Sequence, residues 1–177
     1  MQRYHPMLVV LHWLMAAMIF VALAAGGLVL ANMAPDSPDK VTGLGGHMAF
    51  GMAIGVLLVL RLVIRVSSSK PPHAQTGRAL LDRIGVWTHW AFYVLIAGMV
   101  LTGLATALGA GLFPIVYGDA AQVLPPTLPD LPQRVAHGVI ATLLLALITL
   151  HILAAIYHQV ILKDGLLSRM WFGKRAS

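Results

Sequence analysis

Four long apolar runs mark the chain, at about residues 7–33, 47–66, 84–112 and 135–162, with polar or helix-breaking stretches between them. Each run reaches the roughly 20 residues that cross about 30 Å of hydrocarbon at about 1.5 Å per residue. Lipid offers no partner to backbone N–H and C=O groups, so each run is expected to be a helix. The pattern predicts an all-α membrane protein, a bundle of four transmembrane helices forming a single domain over residues 1–177.

The first run follows Arg3 and carries the small residues Ala22, Ala24 and Ala25, as a signal peptide would. Its apolar stretch is about twice the usual signal core and contains His12, so it is expected to stay as a span. The connections are punctuated by breakers: Pro35 and Pro38 in the first, Pro71 and Pro72 with Ser67, Ser68 and Ser69 in the second. The third holds Pro114, Pro125, Pro126, Pro129 and Pro132 and is too long for a simple turn; it is expected to fold over one mouth of the bundle.

Composition agrees with the pattern. Only 10% of the 177 residues are charged and 59% are apolar, whereas a soluble domain carries about a quarter charged residues. There is no Cys, which excludes disulfide scaffolds, Cys-ligated iron–sulfur clusters and Cys-based zinc sites. Any metal or cofactor must be held by His, Met or oxygen.

The net charge of +6 gains meaning from its placement. With the N-terminus inside, Arg3, Arg61, Arg65, Lys70, Arg78, Arg83, Lys163, Arg169, Lys174 and Arg175 fall on the inner side, and only Lys40 and Arg134 on the outer. Basic residues collect on the cytoplasmic side of membrane proteins, so both termini are expected to be cytoplasmic. Asp36, Asp39, Asp119 and Asp130 fall outside, Asp82 and Asp164 inside. The basic residues thus report insertion and contact with anionic headgroups rather than nucleic-acid binding.

Eight His are present, and six of them, His12, His47, His89, His137, His151 and His158, lie within or at the ends of the spans. Ionisable side chains in lipid-embedded helices are costly and point to function; His5 and His73, in the inner flanks, need no such explanation. His137 and His151 are 14 residues apart, about 40° in azimuth and about 21 Å along a helix; His158 follows about 20° and 10.5 Å further. One such His is more often a structural hydrogen-bonder than a ligand. Three on one helix face, with other His at matching depths, are a different matter.

His47 and His137 share a depth near the outer surface, while His12, His89, His151 and His158 lie in the inner half. Facing imidazoles are what a bis-His haem iron requires, and two layers about 21 Å apart would stack two haems across the bilayer. In the inner layer His12 could face His151, His158 or His89. His158 lies about 31 Å from His137 by helix rise, too shallow for a buried macrocycle, which makes His151 the better ligand. His89 and His158 then suit the carbonyls of a quinone headgroup, or simply anchor the interface.

Gly43, His47, Gly51 and Gly55 fall at steps of four on the second helix, leaving a bare stripe that would clear a macrocycle or let helices pack closely. Trp13, Trp87, Trp90, Tyr93, Tyr157 and Trp171 gather at the inner end, as an aromatic belt does. The nine Met are expected in packing or lipid-facing positions, none as a ligand.

The His12-Trp13 pair, the Gly45-Gly46-His47 opening, the Arg61-Leu-Val-Ile-Arg65 exit, the Thr88-His89 region, His137, His151 and His158, and the Lys163-Asp164 close with its basic tail resemble the bacterial cytochrome b561 family. The resemblance runs in order along essentially the whole chain. It implies two haems b, with His12 and His151 as iron ligands of the inner one and His47 and His137 of the outer one. It also implies ubiquinone as a partner, an inner-membrane location, and oxidation of periplasmic superoxide coupled to ubiquinone reduction.

Superoxide is an anion and is steered by positive potential. Arg134, one turn before His137, is the expected catalytic cation, with Lys40 also outside. Two other readings fit the residues: a haem b anchor and electron-relay subunit for a periplasmic dehydrogenase or hydrogenase, docked through the Pro-rich connection, and a haem-free transporter or metal channel that uses its His as ligands.

Overall fold

The computed structural model describes residues 3–69, 71–72, 78–118 and 123–172; Lys70, His73, Asp119, Lys174 and Arg175 lie outside them. Four apolar spans, Pro6–Asn32, Asp39–Ser67, Ala79–Gly109 and Pro132–Leu162, are long enough to cross a membrane. Each exposes most of its surface, with side chains such as Val56, Leu101 and Leu150 more than 60% accessible. In lipid that surface costs nothing, because the tails are as apolar as the side chains.

Helix α1, Pro6–Ala24, starts with a proline that has no N–H to satisfy. His5 adds a cap, its Nδ1 accepting the Met7 N–H at 3.3 Å. The span continues through a π-helical turn at Ala25–Val29 and a 3-10 turn at Leu30–Asn32. Helix α2, Pro38–Ser67, begins well before the apolar run near residue 47. Its first turns are polar and glycine-rich, so hydropathy is blind to them; Asp39 sits at the positive helix end, and Lys40 Nζ donates to the Met33 carbonyl at 2.8 Å.

Helix α3, Ala79–Gly109, stops where Gly111 takes a left-handed φ of 61°, a backbone that glycine adopts without penalty. The chain then forms the short α4, Leu112–Tyr117. Tyr117 Oη donates to the Gly45 carbonyl at 2.7 Å, so the start of the Pro-rich connection is pinned against α2, two residues from His47. Helix α5, Pro132–Tyr157, carries on as a π turn over His158–Leu162 and ends at Lys163, whose φ is 50°.

Residues 3–4, ahead of α1, meet the segment that follows α5 at one mouth of the bundle, here the terminal end. Residues 164–172 form a strap there: the Tyr4 N–H donates to the Arg169 carbonyl at 3.2 Å, Trp13 Nε1 to Met170 at 2.8 Å and Arg3 to Trp171 at 3.1 Å. Arg169 reaches the Pro72 carbonyl at 2.7 Å, tying the strap to the connection between α2 and α3. Between the two ends of the bundle, Met15, Ile19, Ile54, Leu58, Ile96 and Leu144 form an apolar core contributed by all four spans.

Candidate functional site

Helix α5 carries His137 toward one end and His151 toward the other, and each meets an imidazole from another helix. The His47 and His137 rings lie 6.2 Å apart between centroids, with planes at 77°. The His12 and His151 rings lie 6.3 Å apart at 69°. Two metal–imidazole bonds of about 2.0–2.1 Å plus two ring radii span about that distance. Leu144, 2% exposed, lies seven residues from each α5 His, so the apolar core separates the two levels.

The His47–His137 level opens onto a cavity of about 600 Å³, within the usual range of cofactor pockets. Gly51 lines it, and a Cβ there would meet nothing within 4 Å. Farther along the same stripe, a Cβ on Gly55 would lie 2.9 Å from Val100 Cγ1. The stripe therefore does both things a bare stripe can: it clears space beside His47 and packs closely on α3 below.

Two glycines on neighbouring helices back the imidazoles. A Cβ on Gly26, in the π turn of the first span, would come 3.1 Å from His47 Cε1, and one on Gly103 of α3 would come 3.2 Å from His137 Cε1. The His137 Nδ1 lies 3.1 Å from Thr102 Oγ1, whose hydroxyl is also 3.2 Å from the Met99 carbonyl. His47 Nδ1 is sealed from solvent without a hydrogen-bond partner among the described residues. Arg134 lines the same cavity and acts electrostatically on both rings.

The terminal-end level is more crowded. His151 is flanked by His12, by His89 at 5.9 Å and by Phe92 at 5.3 Å. His158 stands apart: its Nδ1 is 2.6 Å from Asp164 Oδ2, and its ring packs on Tyr157. Partial burial works against the Asp164 charge, yet His158 and the Leu166 N–H, 2.9 Å from Oδ1, hold its carboxyl below the usual range. Trp13, Trp87, Trp90, Tyr157 and Trp171 are at least 36% exposed, as belt residues are. Tyr93 differs, with a hydroxyl cut off from solvent.

Among the described residues no group of three or more His or acidic side chains converges on a point that could hold a metal ion. The imidazoles meet instead as pairs of nitrogen donors, the residue type that would hold a macrocyclic iron. With the cavity, the bare Gly51 and the sealed His47 Nδ1, the donor set at the His47–His137 level fits a haem. Thr102, Gly26 and Gly103 are absent from the sequence-level site; a Thr or Gly on an apolar helix carries no signal until its neighbour is known.

The chain matches the family described as prokaryotic cytochrome b561 over residues 3–173. It belongs to that family. A curated relative, the probable superoxide oxidase CybB of Yersinia pestis, is 27% identical over 176 residues, covering 98% of each chain. The protein is thus a membrane-embedded cytochrome b561-type electron carrier of a haem b family, and its four apolar spans make it a multi-pass inner-membrane protein.

Proposed function

We propose that this cytochrome carries electrons across the membrane from superoxide to ubiquinone through two haems b. His47 and His137 would hold one haem and His12 and His151 the other. The observation that carries this reading is the pair of ring spacings, 6.2 and 6.3 Å, set about 21 Å apart by the rise of α5. Bound haem would supply reversible one-electron chemistry, and these four His would be the residues that hold it.

The charge asymmetry supports cytoplasmic termini and an outward His47–His137 level. Arg134 at the cavity then attracts the superoxide anion. Each superoxide gives one electron and leaves as dioxygen, so two superoxides, one ubiquinone and two protons become two dioxygens and one ubiquinol. At the terminal end, His158 with Asp164, and the exposed His89, supply hydrogen bonds to the quinone carbonyls and a path for those protons.

An autonomous oxidase is favoured over a relay subunit because the similarity to a protein named as a probable superoxide oxidase covers 98% of both chains. The test is a reduced-minus-oxidised spectrum with haem counted per chain, followed by superoxide-driven ubiquinone reduction in liposomes. Two low-spin haems b and turnover without a partner protein are expected. A colourless protein would overturn the reading; two haems without superoxide turnover would leave electron transfer and remove the donor.

A further inference from the structure

Arg61 lies on α2 fourteen residues after His47, the interval that separates His137 from His151 on α5. Helix rise therefore sets it about 21 Å from His47, within about 40° of the same azimuth, on the level of the His12–His151 pair. Its Nη1 donates to the Leu8 carbonyl at 2.7 Å, one turn from His12, and its charge is felt by His12. α2 thus presents a guanidinium at the level where α1 and α5 present imidazoles.

Among the described residues the charge of Arg61 has no acidic partner. Its electrostatic neighbours are Tyr93, Arg65 and Tyr4, with no carboxylate among them, and the ion pair found among the described residues, His158–Asp164, is elsewhere. A guanidinium has five N–H donors, and the Leu8 carbonyl takes one. Tyr93 of α3 lies against the guanidinium, its oxygen placed to accept from Arg61, while its own O–H, sealed from solvent, finds no acceptor among the described residues. Arg65 stacks over the same ring, 5.7 Å from its centroid, and over Trp90 at 5.9 Å.

A cation held within a membrane span without a counter-ion is expensive. Here the remaining guanidinium donors and a buried phenol O–H without an acceptor among the described residues come together beside an imidazole pair. The group that satisfies both is a pair of anionic oxygens: a carboxylate is matched by the guanidinium fork and accepts from the phenol.

We propose that Arg61 and Tyr93 form an anion subsite that takes a carboxylate side arm of the macrocycle held between His12 and His151. The proposal rests on the haem reading above. A lipid phosphate offers similar oxygens, but Arg61 shares the level of the His12–His151 pair, which favours the side arm.

The test measures transfer of the inner haem to apomyoglobin, the inner phase being the one that disappears in His12→Ala. Each protein is loaded either with iron protoporphyrin IX or with its dimethyl ester, whose carboxylates are capped. Arg61→Gln is expected to lose the free-acid haem about tenfold faster or more, the scale of a charged hydrogen bond, and to lose the diester at the wild-type rate. Tyr93→Phe should show the same dependence on the free carboxylate, with a smaller factor.

Equal acceleration with both haems would mean that Arg61 acts through packing, and no acceleration would mean that it holds nothing on the haem; either overturns the proposal. Loss of a co-purifying phospholipid with unchanged haem transfer would assign the site to a lipid phosphate and overturn it too. If Arg61→Gln does not assemble, Arg61→Lys and Tyr93→Phe decide the question by the same comparison. A wild-type protein without haem would instead defeat the haem reading itself.

Discussion

The Thr102 hydroxyl lies 2.6 Å from the Gly98 carbonyl and 3.1 Å from His137 Nδ1. The carbonyl can only accept, so the hydroxyl proton is committed to it and the oxygen lone pairs face the imidazole. His137 Nδ1 must then carry the ring proton, which leaves Nε2 as the basic nitrogen for iron. Thr102 is therefore a positioning residue. Thr102→Val should raise the midpoint potential of the His47–His137 haem, because a less basic imidazole stabilises ferric iron less, and should weaken haem retention there about tenfold. Thr102→Ser should restore both. Redox titration resolves the two haems, and the other one should not move.

Gly103 and Gly26 give a steric prediction with an internal control. A Cβ at either would come within 3.2 Å of an imidazole carbon, and the ring would have to turn. Gly103→Ala and Gly26→Ala should displace or broaden the signature of that haem in the low-temperature spectrum and spare the other. Gly46→Ala adds a Cβ next to His47 in sequence but meets nothing within 4 Å. It should leave both spectra intact and raise stability by up to about 1 kcal/mol through helix propensity.

The spans and the two His levels are legible in the sequence because a membrane makes it nearly one-dimensional. Helix rise turns residue number into depth, so counting residues alone puts His47 and His137, or His12 and His151, on one level. Rotation about each helix axis is not encoded that way. Whether Thr102 of α3 faces His137, or whether Gly55 meets Val100 while Gly51 opens on a cavity, depends on how each helix turns toward its neighbours. The start of α2 at Pro38 is hidden for another reason, since Asp39, Lys40, Thr42 and Gly43 look like a loop by hydropathy.

His158 and Asp164 make a pH prediction at the strap. Hydrogen bonding lowers the Asp164 carboxyl in the folded protein below its ordinary value of 3.8, so the folded state binds this proton less readily than the unfolded one. The pair's contribution is complete above about pH 4 and is lost as pH falls through the lowered folded value. In Asp164→Asn, amide exchange over residues 164–172 should be faster than wild type at pH 7. The difference should shrink as pH falls below 3.8 and vanish below the lowered folded value. A difference that persists there would mean that the carboxylate charge is not what holds the strap.

Arg134 separates steering from wiring. It lines the cavity at the His47–His137 level, while Lys40 is committed to the Met33 carbonyl. On the proposed function, Arg134 supplies attraction for an anion and no iron ligand. Arg134→Gln should lower superoxide turnover several-fold at low ionic strength and flatten its dependence on salt. Arg134→Lys should keep most of both, and haem content should be unchanged in either. Reduction by a neutral small donor such as a hydroquinone should be the same in all three proteins. If turnover with superoxide fell equally with and without salt, the loss would lie in the haem environment rather than in encounter, and Arg134 would not be the steering cation.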